Sequence, residues 1–324
     1  MQSEILKIDK QEILDQLQPT IDSFNSEFDL PNEKRINLQG LTNMKKTQKY
    51  LSEIVDKVVL DNLLSDSRFS VLDRYHLRAL ADFSVHSSDS ADQNQVTGCW
   101  LNILPSSDLD QLMESDEFKI SCQSRLGLDF LNQQVKCSKC REMVDVKLHH
   151  LSSCDKSTRH HALQKVIFNF SRDAGLNPSW EVKCFDDSKH RPGDVYFPHF
   201  PAISDKKVAI DLTIISGHSN FKSSGVRQNT IKNLEDADAE KNKIREKCLK
   251  NGIDFFPFAM DTTGHFSKPA SKLITAIANA YSGKKGVSFS TAKDLLKKKL
   301  LFTLAKFEAR HSADFLRSLG FLGG

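Results

Sequence analysis

The sequence predicts a mixed α/β (α+β) protein in which a mixed sheet is flanked by helices and preceded by a zinc knuckle and an N-terminal helical region. Three observations lead to this prediction. Short apolar runs of β type follow one another between residues 179 and 260. Apolar stripes of helical period precede, interrupt and follow these runs. Cysteine and histidine residues at metal-ligand spacing stand immediately upstream of that core.

Composition is that of an ordinary globular protein and excludes several classes. The 324 residues are 39% hydrophobic and 27% charged, enough for one large domain or two smaller ones. The net charge of +3 does not by itself indicate a nucleic-acid-binding protein. No apolar run approaches the ~20 residues that span a bilayer, and the first residues lack a signal-peptide pattern. We therefore expect no membrane partner and an intracellular protein, with the nucleus as a compatible compartment.

Residues 1–95 are predicted to form an N-terminal helical region without catalytic chemistry. Between 45 and 64, apolar residues recur at helical spacing: Leu51, Ile54, Val55, Val58, Val59 and Leu63. A packing or adaptor role fits this pattern. Residues 84–97, rich in Ser, Asp, Gln and Asn, are typical of a linker, and residues 96–135 are predicted to be a helical linker segment.

Residues 136–156 are predicted to form a zinc knuckle of C-x2-C-x9-H-x3-C pattern, with the ligands Cys137, Cys140, His150 and Cys154. Clustered cysteines without a secretory signal indicate metal binding rather than disulfides. Four soft ligands match tetrahedral zinc, and because no position stays open for water the metal would be structural. His149 competes with His150 for the third position. The alternative is an accidental grouping in a loop.

A helix follows the knuckle, with its apolar stripe at Leu163, Val166, Ile167, Phe170 and Ala174. Arg159 and His160 stand in its first turn, where the helix dipole favours anions over cations. A bound phosphate would resolve this mismatch, so both residues are candidate nucleic-acid contacts. The alternative is that they are ordinary polar surface residues.

Three carboxylates fall on three successive strand candidates, namely 179–185 with Glu181, 191–198 with Asp194 and 208–215 with Asp211. An ionised Asp in a buried strand is costly unless its charge is compensated, and a second carboxylate nearby raises the cost. If the strands are neighbours in one sheet, the three side chains converge and can hold one or two Mg²⁺ (or Mn²⁺) ions. Such ions activate water for cutting a phosphate ester.

Further elements complete the predicted core, namely a helix at 233–249, a strand at 253–260 and a helix at 269–281. Residues 283–324 are predicted to form a basic C-terminal helix that carries Lys297-Lys-Lys299, Lys306 and Arg310. These cations would form either the solvated face of a packing helix or a set of phosphate contacts.

The acidic motifs resemble a known family. Arg191-Pro-Gly-Asp194 followed by Asp211-Leu-Thr213 is similar to the PD-(D/E)xK, restriction-endonuclease-like fold. The order of zinc knuckle, Arg-His helix, Glu strand and acidic motifs resembles the endonuclease domain of early-branching non-LTR retrotransposons. Upstream segments resemble the connection between polymerase and endonuclease in related retroelement proteins, namely Trp100–Pro105, Glu117-Phe118 and Arg125-Leu-Gly-Leu128.

The resemblance implies a restriction-like endonuclease domain at 157–282 that cleaves DNA with Mg²⁺ or Mn²⁺. It assigns the acidic positions of the motif to Asp194 and Asp211, the acid of the preceding strand to Glu181, and the structural zinc to the four knuckle ligands. Arg191 becomes a further candidate nucleic-acid contact. The implied partners are DNA, with element RNA as an alternative nucleic acid, and a reverse transcriptase in cis or in trans.

Two departures from the family pattern bear on activity. Thr213 stands where the motif has its Lys, so the cation would come from the following helix. Lys243 is the first choice for this catalytic cation, Lys241 is the second, and Lys183 is the least favoured candidate. No polymerase motif is present, so the chain would not copy RNA unaided. The alternatives are an inactive, zinc-stabilised nucleic-acid-binding remnant, and an unrelated zinc-stabilised interaction protein whose Asp194 and Asp211 cap turns.

Overall fold

The computed structural model describes residues 111–154, 157–180, 182, 191–216 and 230–322, together with residues 60–68, 99–103, 106 and short stretches or isolated positions between 18 and 77. The chain divides into two compact units, Met1–Leu77 and Arg78–Gly324. In the first unit, residues 60–65 are helical. Most of the predicted stripe at 45–64 and the whole predicted linker at 84–97 lie outside the described residues.

The second unit alternates helices and strands. Its helices are α1 (Ser115–Arg125), α2 (Leu151–Cys154), α3 (Ser157–Asp173), α4 (Thr230–Lys241), α5 (Arg245–Lys250), α6 (Lys268–Lys285) and α7 (Phe289–Ser318). Its strands are β1 (Val135–Lys136), β2 (Met143–Val144), β3 (Ser179–Trp180), β4 (Val195–Phe197), β5 (Lys207–Ile215) and β6 (Ile253–Asp261). Short 3₁₀ helices lie at Cys99–Asn102 and Asn242–Ile244. The predicted helix at 233–249 is thus two helices, and its interruption begins at Asn242, a weak helix former.

The sheet confirms the predicted mixed α/β architecture. In the order β3-β4-β5-β6, the first two pairings are antiparallel and the pairing of β5 with β6 is parallel. The strands expected to carry the acidic residues are therefore neighbours. β1 and β2 form a separate antiparallel hairpin that precedes α2.

The two faces of β5 pack against different helices because successive side chains alternate across a strand. Val208, Ile210, Leu212 and Ile214 are buried in the main core, to which α3, α6 and α7 contribute. Ala209 faces the other way, in a smaller cluster with Cys248 of α5 and Phe255 of β6. Helices therefore cover both faces of the sheet, as expected for this class of fold.

The C-terminal helix belongs to the core of the second unit. The first half of α7 contributes Leu296, Leu300 and Leu304 to the main core. Its second half contributes Ala309, Ala313 and Leu316 to a cluster shared with the β1–β2 hairpin and α2. This burial fits the interpretation of α7 as a packing helix. The hairpin segment therefore folds against the same helix as the sheet.

Gly193 is fixed by its close approach to β5. A Cβ atom at this position would lie 2.6 Å from the carbonyl oxygen of Ile210, a distance that real Cβ atoms do not reach. The backbone N–H of Asp194 donates to that same oxygen at 2.8 Å. Only glycine permits this approach, which begins the pairing of β4 with β5.

We predict that Gly193→Ala lowers the free energy of unfolding by about 1–3 kcal/mol, because the new methyl group must push the two strands apart. Gly283→Ala is the matched control: it lies in α6 with nothing within 4 Å of the added Cβ. In a helix that change should stabilise by roughly 0.4–1 kcal/mol. Urea unfolding of both variants checks the prediction, which fails if Gly193→Ala is as stable as the native chain.

Candidate functional site

The four predicted zinc ligands form one cluster. The ligand atoms of Cys137, Cys140, His150 and Cys154 all lie within 4.8 Å of one another. The Sγ of Cys154 lies 3.6 Å from that of Cys137 and 3.5 Å from that of Cys140, and Cys140 Sγ lies 3.1 Å from His150 Nε2. With Zn–S bonds of ~2.3 Å, the ligands of tetrahedral zinc are about 3.5–3.8 Å apart. The group could therefore hold a structural Zn²⁺ ion.

The neighbouring His149 contacts the turn that precedes it. His149 Nδ1 lies 3.3 Å from the carboxylate of Asp145. Burial raises the pKa of Asp145, but His149 and the backbone N–H groups around it outweigh that effect and lower the pKa to about 2. The structure therefore places His150, and not His149, in the Cys₃His group, while the turn that precedes His149 holds its side chain.

The thiols of the cluster respond in opposite directions to their surroundings. Burial raises the pKa of Cys137, but the backbone N–H groups of Cys140 and Lys139 outweigh it and lower the pKa to about 6. Burial and the neighbouring sulfur atoms raise the pKa of Cys154 to about 12. Crowded sulfur atoms of this kind are deprotonated together only when a cation lies between them.

The second cluster is built by the register between β4 and β5. Val195 pairs with Ile210, so Asp194, the residue before β4, comes opposite Asp211. Both side chains project to the sheet face of Ala209, away from the main core. The two carboxylates therefore lie opposite each other across the strand pair, and their side chains are only 17% and 20% exposed.

Asp194 is held by several hydrogen bonds. Its Oδ2 accepts from the backbone N–H of Leu212 at 2.7 Å and lies 3.0 Å from His160 Nε2. Its backbone carbonyl accepts from Gln164 Nε2 at 2.8 Å. Burial raises the pKa of Asp194, but His160 and the Leu212 N–H outweigh it, and the pKa is lowered. The hydrogen bond that His160 makes to this carboxylate in turn raises the pKa of His160.

Asp211 contacts a lysine of α4. Its Oδ2 lies 2.6 Å from Lys241 Nζ. Burial is the largest influence and raises the pKa of Asp211; Lys241 lowers it and the adjacent Asp194 raises it again, so the net shift is upward. A cation placed at this carboxylate therefore relieves part of the repulsion within the acidic pair.

Lys243 points elsewhere. Its ammonium pairs with the carboxylate of Glu240, and both side chains are largely exposed. The geometry therefore favours Lys241, the second choice from the sequence, over Lys243. A signal for this was present: Leu234 is buried and lies seven residues before Lys241, almost two full turns, so the two share a face. Lys243 falls on the opposite face.

Thr213, in the position of the motif Lys, lies two residues beyond Asp211 on the same face of β5. Its Oγ1 is buried and makes no hydrogen bond within the described part of the chain. A lysine at this position would project from the same face of β5 as Asp211, the residue that Lys241 contacts from α4. The substitution and the helix-borne lysine are therefore consistent with each other.

The expected phosphate contact does not fit Arg159. This side chain is 4% exposed, its guanidinium pairs with Glu308 of α7, and it donates to the carbonyl of Ser152 at 2.9 Å. His160 is directed at Asp194 rather than outward. Arg191 is exposed and precedes Asp194 by three residues, which keeps it as a candidate contact to nucleic acid.

Glu181 and Lys183 lie outside the described residues. The last register pair between β3 and β4 is Trp180 with Val195, and Glu181 follows Trp180 in the sequence. Within the described ranges, the Cys₃His group is the one cluster of three or more candidate metal ligands. The Asp194–Asp211 pair supplies two.

No protein-family model matches the chain, and neither a curated protein nor a solved structure matches it. None of the helices in the described ranges combines the length and the apolar composition that crossing a membrane requires. Functional interpretation therefore depends on the two clusters themselves.

We predict one zinc ion per chain, lost on Cys140→Ser because a hydroxyl is a poor replacement for a thiolate ligand. Zinc is worth on the order of 10 kcal/mol of folding energy in isolated zinc-finger peptides. The hairpin shares its core with α7, so the variant should also unfold at lower urea concentration. Metal analysis and urea unfolding check this, with Cys122→Ala, outside the cluster, as the control. Equal zinc content in the two variants would contradict the assignment.

Proposed function

We propose that the chain is a metal-dependent DNA endonuclease of retroelement type, related to the restriction-like fold and without polymerase activity of its own. One observation carries the proposal: Asp194, the residue before β4, comes opposite Asp211 of β5, and the ammonium of Lys241 lies at Asp211. Two buried carboxylates and a lysine are the groups that phosphodiester hydrolysis by this class of nuclease requires.

Each residue has a separate task in the proposed reaction. Asp194 and Asp211 would hold Mg²⁺ or Mn²⁺ through carboxylate oxygens, with Glu181 added from the sequence as a third ligand. When bound, the ion supplies Lewis acidity and lowers the pKa of a coordinated water. Lys241 neutralises charge at Asp211 and can orient a water or the phosphate that is cut. Arg191, exposed beside the pair, would contact the DNA backbone.

The Cys₃His cluster supports the proposal by its place in the chain. It ends at Cys154 in α2, and two residues separate it from α3, the helix whose His160 contacts Asp194. The proposed order of zinc module, helix and acidic strands is that of the retroelement endonucleases the sequence resembles. The proposed partners are DNA, with element RNA as an alternative nucleic acid, and a reverse transcriptase in cis or in trans.

A second candidate is a nucleic-acid-binding remnant that has lost cleavage. The ion pair between Lys241 and Asp211 favours it, because this pair already compensates the second carboxylate without a metal. Thr213 in the motif position points the same way. The two candidates differ in metal-dependent cleavage, while both predict zinc and nucleic-acid binding.

We predict that the purified chain nicks supercoiled plasmid DNA in Mg²⁺ or Mn²⁺. Asp211→Asn should reduce nicking by at least about 100-fold. Loss of a residue that only supports a metal ligand costs up to about 100-fold, and loss of a ligand itself should cost at least as much. Asp254→Asn is the control, since this β6 carboxylate bonds Ser204 and Lys206 and lies outside the acidic pair. Native protein that binds DNA but does not nick it would support the remnant, and equal nicking by Asp211→Asn would overturn the site.

Lys241→Met and Lys243→Met form a matched pair, because the lysines lie two residues apart, at the end of α4 and in the 3₁₀ helix that follows. We predict a 10²–10³-fold loss of nicking for Lys241→Met, as for removal of one charge-stabilising donor, and less than about a twofold change for Lys243→Met. The comparison is made at saturating Mg²⁺ with both variants checked for zinc content. If Lys243→Met loses more nicking activity than Lys241→Met, then Lys243, the first choice from the sequence, is the catalytic cation and Lys241 is not.

A further inference from the structure

The first turn of α3 contacts both clusters through consecutive residues. Arg159 donates to the carbonyl of Ser152, which lies between the ligands His150 and Cys154. His160 Nε2 lies 3.0 Å from Asp194 Oδ2. Neighbouring residues on a helix project about 100° apart, so one turn can contact two separate sites.

His160 also joins the two strands that carry the acidic pair. Its Nε2 lies 3.1 Å from the carbonyl oxygen of Leu212, the residue after Asp211, as well as 3.0 Å from Asp194 Oδ2. Both partners are oxygen acceptors, so Nε2 carries the proton and donates it between them. A protonated Nε2 is not a metal ligand, and His160 therefore acts on Asp194 rather than on an ion.

The same face of α3 fixes the backbone of Asp194. Gln164, one turn after His160 and 2% exposed, donates to the main-chain carbonyl of Asp194. With the N–H of Leu212 also on Oδ2, the carboxylate is held in one orientation. Orientation of ligands by such hydrogen bonds is what sets metal affinity beyond the ligands themselves.

Arg159 is anchored on the other side. Its guanidinium pairs with Glu308 of α7, and Ser152 Oγ donates to the same carboxylate at 2.9 Å. Ser152 thus contacts both Arg159 and Glu308 while it lies within the zinc-ligand segment. A displacement of that segment would be passed to the first turn of α3 through these bonds.

We infer that His160 is a positioning residue that holds Asp194 as a metal ligand, and that Arg159 makes this positioning depend on the zinc cluster. The inference rests on the proposed function, because it concerns the same acidic pair. It replaces the expected phosphate contacts of both residues by a link between the two clusters.

The test measures Mn²⁺ binding to zinc-loaded protein by electron paramagnetic resonance and calorimetry. His160→Leu should weaken Mn²⁺ binding about 10–100-fold. His160→Gln, whose amide N–H reaches a similar position, should stay within about threefold of the native value. His161→Leu is the control for loss of a ring beside His160: the exposed His161 ring packs edge to face against that of His160, and its Nδ1 bonds the carbonyl of Ser157 rather than the acidic pair. Native binding by His160→Leu, or equal losses for Leu and Gln, overturns the positioning role.

The zinc link has its own variant, Arg159→Met with Glu308→Leu. Removing both charges leaves an apolar contact, which avoids a buried unpaired ion. This protein should retain zinc and its unfolding midpoint but bind Mn²⁺ several-fold more weakly, and Mn²⁺ affinity unchanged from native overturns the link. The results above overturn the inference alone. The proposed function fails as well if the native chain binds no Mn²⁺, or if Asp211→Asn leaves Mn²⁺ binding unchanged.

Discussion

The structure depends on the burial of two carboxylates side by side. Two unit charges roughly 4 Å apart repel by about 4 kcal/mol at an effective dielectric constant of about 20. Asp194 and Asp211 meet this cost in different ways. Asp194 receives the Leu212 N–H and the His160 imidazole, while Asp211 receives the Lys241 ammonium. The proposed function places a metal ion at this pair of acids.

The rest of the second unit places these groups. Gly193 allows β4 to approach β5, which sets the register that makes the two acids neighbours. α3 packs in the main core and its His160 contacts Asp194, whereas Lys241 of α4 contacts Asp211 on the opposite face of the sheet. α7 then joins the core of the sheet to that of the hairpin with the Cys₃His cluster. The Cys₃His cluster therefore lies in the same unit as the acidic pair.

Sequence reasoning succeeded where a pattern is local. The four candidate metal ligands lie between Cys137 and Cys154, within one short segment whose spacing is visible in the sequence. The apolar residues that alternate around Asp211 specify a buried strand. It failed where an outcome depends on which face of a helix meets its neighbour. Arg159 carries a charge in a first turn, but its burial follows from Glu308, 149 positions later and invisible to local pattern. The choice of Lys241 over Lys243 follows from the rotation of α4, for which the apolar Leu234 was the one local guide.

The most direct measurement of the central claim is anomalous diffraction from crystals grown with zinc and soaked in Mn²⁺. Zinc at Cys137, Cys140, His150 and Cys154 would serve as the internal reference. The account predicts a manganese peak within coordination distance of the carboxylates of both Asp194 and Asp211, with the Asp194 orientation unchanged. A zinc peak at the cluster with no manganese at the acidic pair would contradict it.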